Sequence, residues 1–231
     1  MKTIGLIGGM SWESSIQYYR IINETTKARL GGLHSAKSVM VSVDFAEIEA
    51  LQHEGRWEEA GRLMAEAAQS LERAGADCVV LCTNTMHKLA DRIQDGIRIP
   101  FLHIADATAE KIAAAGHGTV GLLGTRFTME EDFYRGRLVQ RHGLRVVVPE
   151  PAEREAVHRV IYDELCQGLI RDASRKRYAE IIRGLVAAGA QGIILGCTEI
   201  ELLVRPADSP VPVFPTTTIH AEAAVNFALT E

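Results

Sequence analysis

The chain has 231 residues, of which 47% are hydrophobic and 24% charged, a balance typical of a globular protein with one large core or two smaller ones. Its net charge of −5 argues against the basic face that nucleic-acid-binding proteins carry, so we expect a small-molecule partner and no nucleic acid. The first apolar run is short and is interrupted by Gly8, Gly9 and Glu13, which predicts a buried strand rather than a signal peptide or a membrane span.

Short apolar runs alternate with longer amphipathic stretches along the whole chain. The predicted strands, in chain order, are residues 3–7, 38–43, 78–81, 101–103, 119–123, 145–148, 192–195 and 211–214. The clearest predicted helices are residues 57–74, 155–166 and 175–188, where apolar residues recur at helical spacing. This alternation is typical of βαβ units around a parallel sheet that helices cover on both faces.

Two segments of the first half of the chain recur in the second half. The sequence TIGLIGG at 3–9 returns as TVGLLGT at 119–125, and LERAGADCVVL at 71–81 returns as LVAAGAQGIIL at 185–195. The offsets, 116 and 114 residues, are nearly equal. We therefore predict an α/β protein with two similar three-layer α/β/α domains, whose parallel sheets are related by pseudo-two-fold symmetry. The predicted domains are residues 1–115 and 116–212, with a helix within 213–231 returning to the first.

The repeat also pairs two loops that follow buried strands, CTNTMH at 82–87 and GCTEI at 196–200. Thr83 aligns with Cys197. Ligands bind beyond the carboxyl ends of the strands in such sheets, so we expect the active site in the cleft between the two domains. Each loop is expected to open a helix, whose N-terminus binds anions such as carboxylates and lowers the pKa of a cysteine thiol.

Mirrored loops suit a reaction that removes a proton from one face of a carbon atom and returns a proton on the other. A cysteine thiolate is a plausible base for such a reaction near neutral pH. A threonine hydroxyl is too weak an acid to ionise without help, so the predicted site is asymmetric.

The chain resembles the aspartate/glutamate racemase family over its whole length. The motifs that carry the resemblance are Gly8-Gly9-Met10, Thr83-Asn84-Thr85-Met86-His87, Gly121-x-x-Gly124-Thr125, Gly196-Cys197-Thr198-Glu199 and Ile219-His220-Ala221. The family has two similar α/β domains, each with one catalytic cysteine, and acts without pyridoxal phosphate or metal. The resemblance therefore implies a cytoplasmic, homodimeric amino-acid racemase that needs no cofactor and no membrane partner.

This sequence departs from the family pattern at the first catalytic position. The family has Cys-Asn-Thr-x-His there, whereas this chain has Thr83 in place of the cysteine and Cys82 one residue earlier. Threonine is tolerated at this position in the part of the family that the chain resembles most. We expect Cys197 to act readily on one enantiomer, with Thr83 serving the other face slowly.

The resemblance also implies which residues bind the substrate. Asn84, Thr85 and Thr198 would hold its α-carboxylate or amino group, as the loop argument also suggests. Met10, Gln52 and Thr125 would line the pocket on the family pattern alone. Glu199 is either a further site residue or only a favourable charge in a first helical turn, for which a capping role is sufficient.

The remaining cysteines and histidines leave alternatives open. Cys82 is either a displaced second base or a packing residue, and the packing interpretation is favoured because the repeat aligns it with Gly196. Cys78 and Cys166 lie in apolar patterns and are expected to pack. His87 and His220 could tune the site or simply complete hydrogen bonds in the core.

Two other functions are compatible with the sequence. One is a related one-cysteine reaction, either decarboxylation of a malonate-like acid or isomerisation of a double bond. The other is a non-catalytic sensor that closes on an amino acid. A nicotinamide cofactor is not expected, because Gly5-x-x-Gly8-Gly9 lacks the spacing of a dinucleotide-binding turn.

Overall fold

A computed structural model describes residues 1–230, which form two compact units that each contain one parallel sheet. The first unit comprises Met1–His103 and the end of the chain from His220, and the second comprises Ile104–Ile219. The strands, in chain order, are β1 Ile4–Gly8, β2 Ser38–Ser42, β3 Cys78–Leu81, β4 Phe101–Leu102, β5 Thr119–Gly124, β6 Arg145–Val147, β7 Gly192–Gly196 and β8 Val213–Pro215.

The α-helices, in chain order, are α1 Trp12–Leu30, α2 Phe45–His53, α3 Trp57–Arg73, α4 Ala90–Asp95, α5 Ile104–Ala114, α6 Arg126–Glu130, α7 Asp132–His142, α8 Pro151–Asp163, α9 Asp172–Ala187, α10 Ile200–Leu203 and α11 Thr216–Leu229. Short 3₁₀ turns occupy Thr85–Leu89, Leu165–Gln167 and Pro206–Asp208. None of the helices within residues 1–230 is both long enough and apolar enough to cross a membrane.

The predicted strands are confirmed, because each of the eight is present with ends that differ by at most two residues. The helix predicted at 155–166 begins earlier, at Pro151, because proline suits the first turn of a helix, where its missing N–H is not needed. It ends at Asp163, and Cys166 lies in the 3₁₀ turn that follows.

The first sheet has the strand order β2-β1-β3-β4, with every pair parallel. Alternate side chains of its central strands enter two different cores. Ile7 and Leu81 pack with α2 and α3 on one face, and Leu6 and Val80 pack with α1 and α11 on the other. Burial on both faces explains why β1 and β3 are continuous apolar runs rather than alternating ones.

The second sheet has the equivalent order, β6-β5-β7-β8, and is also parallel throughout. Its core includes α5, which falls within the predicted first domain of residues 1–115, because Ile104, Ala109 and Ile112 form a buried apolar stripe on that helix. The shared strand order and the helices that flank both sheets confirm the predicted duplicated α/β architecture.

Gly124 and Gly196 lie where the ends of β5 and β7 leave no room for a side chain. They are partners in the parallel register, and a Cβ atom added to Gly124 would lie 2.7 Å from the carbonyl oxygen of Gly196. The added Cβ and the carbonyl oxygen would both be attached directly to the backbone, so neither atom could move aside without displacing a strand. Glycine is therefore required at this strand end for packing reasons.

We predict that Gly124→Ala lowers the free energy of unfolding by about 1–3 kcal/mol, the usual cost of overpacking a core. Gly184→Ala is the matched control, because Gly184 lies exposed in α9 with no atom within 4 Å of an added Cβ. That change is expected to raise stability by up to about 1 kcal/mol through helix propensity. Denaturant unfolding of both variants checks the pair, and equal effects would contradict the packing argument.

Candidate active site

The first group of predicted site residues lies at the carboxyl edge of the first sheet. Strands β1 and β3 are neighbours, with Ile7 opposite Leu81, so the segments that leave them emerge side by side. Met10 follows β1, and Thr83, Asn84 and Thr85 follow β3. All four residues are buried.

The backbone of Thr83 is held by two hydrogen bonds. Its N–H donates to the carbonyl oxygen of Leu81 at 2.9 Å, and its own carbonyl oxygen accepts from Nδ1 of His87 at 2.7 Å. Because a carbonyl oxygen only accepts, the hydrogen of the His87 ring must be on Nδ1. Two roles were open for His87, and the geometry supports the structural one. Its ring completes a hydrogen bond that fixes the Thr83 loop.

Gln52 joins this group from α2. It is buried, and its side-chain Nε2 lies 3.0 Å from the sulfur of Met86, which is in the 3₁₀ turn that follows Thr83. Met10 and Met86 belong to the same apolar cluster. Gln52 therefore contacts the turn that follows Thr83, and Met10 belongs to the apolar cluster of that turn.

His220 lies behind this edge, in the part of α11 that packs on the first unit. Its Nε2 donates to the carbonyl oxygen of Leu102 at 2.8 Å, which leaves Nδ1 to accept from the hydroxyl of Tyr18 at 2.9 Å. Complete burial lowers the pKa of His220 from 6.5 to about 4. The residue is therefore neutral near pH 7, and the role that the geometry supports is a core hydrogen bond.

The second group lies at the carboxyl edge of the second sheet. Thr125 follows β5 directly, and Cys197, Thr198 and Glu199 follow β7, so they emerge from the two strands that Gly124 and Gly196 hold together. Thr125 caps α6, since its side chain accepts from the N–H of Thr128. All four predicted residues are buried.

Glu199 connects the other two side chains of this loop. Its Oε2 accepts hydrogen bonds from the Cys197 thiol, with Sγ at 3.0 Å, and from the Thr198 hydroxyl at 2.8 Å. Its side chain makes no cap hydrogen bond to α10. The carboxylate instead faces the thiol.

The loop backbone lowers the pKa of Cys197, as expected, but larger effects of opposite sign outweigh this contribution. Burial raises the pKa of the Cys197 thiol well above 9, and the negative charge of Glu199 raises it further. The helix cannot compensate because α10 has only four residues and carries little of the dipole that a longer helix would supply. Cys197 at rest is therefore a neutral thiol beside a carboxylate.

The other cysteines lie in packing positions. Cys82 is fully buried among Leu6, Val80 and other side chains of the core beneath α1, and burial raises its pKa far above 9. Burial likewise raises the pKa of Cys78 to about 12. Cys166 is half-buried and packs against the core of the second unit.

Three neighbours of these groups were not identified from the sequence. His103 follows β4, and its ring centre lies 4.5 Å from that of His87. Tyr18 holds His220, and Glu201 in α10 accepts from the backbone N–H of Thr217 and the hydroxyl of Thr218. His103 could have been found by the strand-end argument, whereas Tyr18 and Glu201 depend on contacts between helices or turns distant in sequence.

Within residues 1–230 no cluster of three or more His, Cys, Asp and Glu side chains is arranged to hold a metal ion.

We predict that His220 makes the protein less stable in acid. A pKa lowered from 6.5 to about 4 means that the unfolded chain binds more protons than the folded one between these values. The free energy of unfolding therefore carries no penalty from His220 above pH 6.5. It falls by about 3 kcal/mol as the pH is lowered towards 4, because the unfolded chain then binds the proton that the folded chain excludes. Unfolding measured at pH 7 and pH 4 should show a correspondingly smaller difference in His220→Gln than in the wild type.

The control for this measurement is His34→Gln, because His34 is exposed. Glu201, whose pKa is raised to about 7 by burial, adds an opposite pH dependence, but it is present in every variant and cancels in the comparison. An unchanged acid sensitivity in His220→Gln would contradict the assignment.

We predict that Glu199→Gln lowers the pKa of the Cys197 thiol, since the carboxylate charge is one cause of the raised value. The rate of alkylation by iodoacetamide, followed against pH at Cys197 by peptide mass spectrometry, should reach its midpoint at lower pH in this variant. Glu201→Gln is the matched control, because Glu201 does not contact the thiol in the hydrogen bonds of this loop. A midpoint that rises or stays unchanged in Glu199→Gln would refute the electrostatic account.

Comparison with known proteins agrees with this geometry. A family model described as Asp/Glu/Hydantoin racemase matches residues 7–224. A Yersinia pestis protein described as an Asp/Glu racemase has a solved structure with 58% sequence identity and a TM-score of 0.93, and the match covers 100% of both chains. An aspartate racemase homologue from Pyrococcus horikoshii OT3 is 35% identical, with a TM-score of 0.85 and 100% of both chains covered.

A curated sequence relative is the broad specificity amino-acid racemase RacX of Bacillus subtilis (strain 168). It is 22% identical over 176 residues, which are 73% of this chain and 72% of the relative. The match to the family model spans nearly the whole sequence and includes both strand-end loops. The chain therefore belongs to the Asp/Glu/hydantoin racemase family.

Proposed function

We propose that this protein interconverts the L and D forms of an amino acid, aspartate, glutamate or a broader set, by removing the α-proton and returning one on the opposite face. The observation that carries the proposal is the 3.0 Å hydrogen bond from the Cys197 thiol to Glu199 at the end of a buried parallel strand. The names of the relatives support the same class of reaction, since one is a broad specificity amino-acid racemase and another is a homologue of aspartate racemase.

The thiol and the carboxylate form a pair that can generate a base without creating a new charge. Transfer of the proton from sulfur to Oε2 of Glu199 converts a thiol and a carboxylate into a thiolate and a carboxylic acid. The net charge of the pair is unchanged, so burial opposes this transfer much less than it opposes loss of the proton to water. The ammonium group of an incoming amino acid would stabilise either form and offset the cost of a buried negative charge.

The thiolate of Cys197 then takes the α-proton from one enantiomer. The electron pair of the C–H bond passes into the substrate as a carbanion, which its carboxylate delocalises. In this proposal Asn84 and Thr85 donate hydrogen bonds to that carboxylate, where negative charge develops, and the oxygen of the Thr198 hydroxyl, which donates to Glu199, accepts from the substrate amino group. Met10, Gln52 and Thr125 would line the pocket around the side chain.

Thr83 would serve the other face of the substrate. Its hydroxyl can donate a proton to a carbanion, but the resulting alkoxide is a high-energy species, and the packing around Cys82 leaves that thiol with a strongly raised pKa. Proton return through Thr83 is therefore slow. Exchange of the α-proton by Cys197 alone, with configuration retained, should outpace racemisation.

The family resemblance extends the proposal to a cytoplasmic homodimer that acts without pyridoxal phosphate or metal. These parts are independent of the chemistry at Cys197 and can be tested separately.

The first experiment is incubation of the protein with single L- and D-amino acids in heavy water. Loss of the α-proton signal measures proton abstraction, and chiral chromatography measures racemisation. Cys197→Ser should reduce exchange by about 10²–10⁴-fold, the usual contribution of a positioned acid–base group. Cys82→Ser is the matched control, because that thiol is expected only to pack. Exchange of the α-proton at the wild-type rate in Cys197→Ser would refute the proposal.

We further predict that Thr83→Cys increases the rate of racemisation relative to exchange, because a thiol donates and accepts protons near neutral pH far more readily than a hydroxyl. The measured quantity is the ratio of the opposite enantiomer formed to α-deuterium incorporated. Thr125→Cys tests whether any added thiol has the same effect. An unchanged ratio in Thr83→Cys would show that Thr83 does not transfer a proton on the second face of the substrate.

A further inference from the structure

The residues that carry the proposed chemistry in the second unit stand between two elements of regular structure. β7 ends at Gly196 and α10 begins at Ile200, so residues 197–199, which we call the Cys197 segment, belong to neither element. The segment runs directly into α10, because the N–H of Ile200 donates to the carbonyl oxygen of Cys197 at 3.1 Å. The placement of α10 therefore sets the placement of the Cys197 segment.

Apolar packing alone leaves the orientation of α10 loosely specified. The helix has four residues, of which Ile200 and Leu203 are buried in the core of the second unit. Burial of apolar surface is favourable but has no preferred direction. Hydrogen bonds do have a preferred direction, so the polar contacts of α10 with its neighbours fix how the helix is rotated.

Glu201 makes these polar contacts with the first turn of α11. Its Oε1 accepts from the backbone N–H of Thr217, and its Oε2 accepts from the hydroxyl of Thr218 at 3.2 Å. Burial raises the pKa of Glu201 to about 7, and the hydrogen bonds from these two threonines partly oppose that shift. A buried carboxyl group is costly without hydrogen-bond partners, so both contacts favour a single orientation of the side chain.

The sequence of α11 explains why the helix takes a cap from another element. The first N–H groups of a helix have no partner within the helix, and a side chain just before the helix usually accepts from one of them. The residue before Thr216 is Pro215, whose side chain has no acceptor. Glu201 supplies the missing acceptor, and a carboxylate is favourable at the N-terminus of a helix of 14 residues.

A second contact from the same turn holds the other side of the Cys197 segment. The hydroxyl of Thr216 donates to the carbonyl oxygen of Leu195 in β7 at 2.8 Å. One turn of α11 thus holds the chain both before and after the segment. At the far end of α10, Nε of Arg175 donates to the carbonyl oxygen of Leu203 at 2.8 Å.

The proposed proton transfer depends on how accurately the Cys197 segment is held. The sulfur of Cys197 and Oε2 of Glu199 are 3.0 Å apart, which is within hydrogen-bond reach for a proton transfer. A displacement of about 1 Å at a reacting group can reduce turnover about 100-fold. The hydrogen bonds that orient α10 therefore affect the chemistry, although Glu201 is not among the residues proposed to touch the substrate.

We infer that Glu201 is a positioning residue, which holds Cys197 and Glu199 in the geometry for proton transfer by binding the first turn of α11. The effect on turnover rests on the proposed function, whereas the hold on the Cys197 segment does not depend on which reaction the site performs. Glu201 takes no part in the transfer itself, because both of its oxygens are engaged by α11.

Glu201→Leu and Glu201→Gln test this role as a pair. Leucine accepts no hydrogen bond, whereas glutamine keeps a side-chain oxygen for the N–H of Thr217. Glu201→Leu should lower kcat for α-proton exchange about 10–100-fold, because the Cys197 segment is no longer held in place. Glu201→Gln should recover most of that loss. Thr218→Val removes one of the two donors and should lie between the wild type and Glu201→Leu.

Backbone hydrogen exchange, followed by mass spectrometry without substrate, tests the hold on the segment separately. Peptides that cover residues 196–203 should take up deuterium faster in Glu201→Leu than in the wild type or Glu201→Gln, while peptides from β5 should be unchanged. Glu110→Leu is the matched control, because Glu110 is exposed on α5 of the same unit. It should change neither kcat nor deuterium uptake, and circular dichroism should show that every variant is folded.

The inference is overturned by unchanged deuterium uptake over residues 196–203 in Glu201→Leu, by the wild-type kcat in that variant, or by an equal loss in Glu201→Gln. Equal effects of Glu110→Leu would also overturn it. A wild type that exchanges no α-protons with any amino acid would reject the racemase, and deuterium uptake would then decide alone whether Glu201 holds the Cys197 segment.

Discussion

Parallel pairing requires the chain to return to the starting edge of the sheet before each new strand, and the predicted site residues that follow the strands are brought to one edge by that constraint. The crossover helices cover both faces of each sheet, so the strands are buried and their carboxyl ends collect at one edge. Met10 and Thr83 follow the neighbouring strands β1 and β3, and Thr125 and Cys197 follow the neighbouring strands β5 and β7. Between β5 and β7, the backbone approach of Gly124 to Gly196 leaves no room for a Cβ atom.

The two strand-end loops have the same origin but different chemistry. In the loop after β3 the hydrogen bond fixes the backbone, because His87 donates to the carbonyl oxygen of Thr83. The hydroxyl of Thr83 takes no part in that bond. In the second, the side chains are fixed, because one oxygen of Glu199 accepts from both the thiol and the Thr198 hydroxyl. A duplicated fold has thus kept its strand order while its loops acquired different hydrogen-bond networks.

The sequence predicts the fold more completely than the site. Apolar runs mark all eight strands, and two repeated segments reveal the duplication, because both patterns depend on residues close together in the chain. The pKa of Cys197 could not be predicted, since it depends on how soon α10 ends and on which way Glu199 turns. The partners of His220 were missed for a related reason: Tyr18 reaches it from 202 positions away.

The resting state of Cys197 also bears on how the protein tolerates oxidants. Peroxides attack the thiolate form of cysteine and convert it first to a sulfenic acid. A thiol that burial and a neighbouring carboxylate keep protonated presents very little of that form. The same arrangement that keeps Cys197 protonated therefore slows its reaction with peroxides, so the residue that carries the proposed chemistry is also a poor target for oxidation while the site is empty.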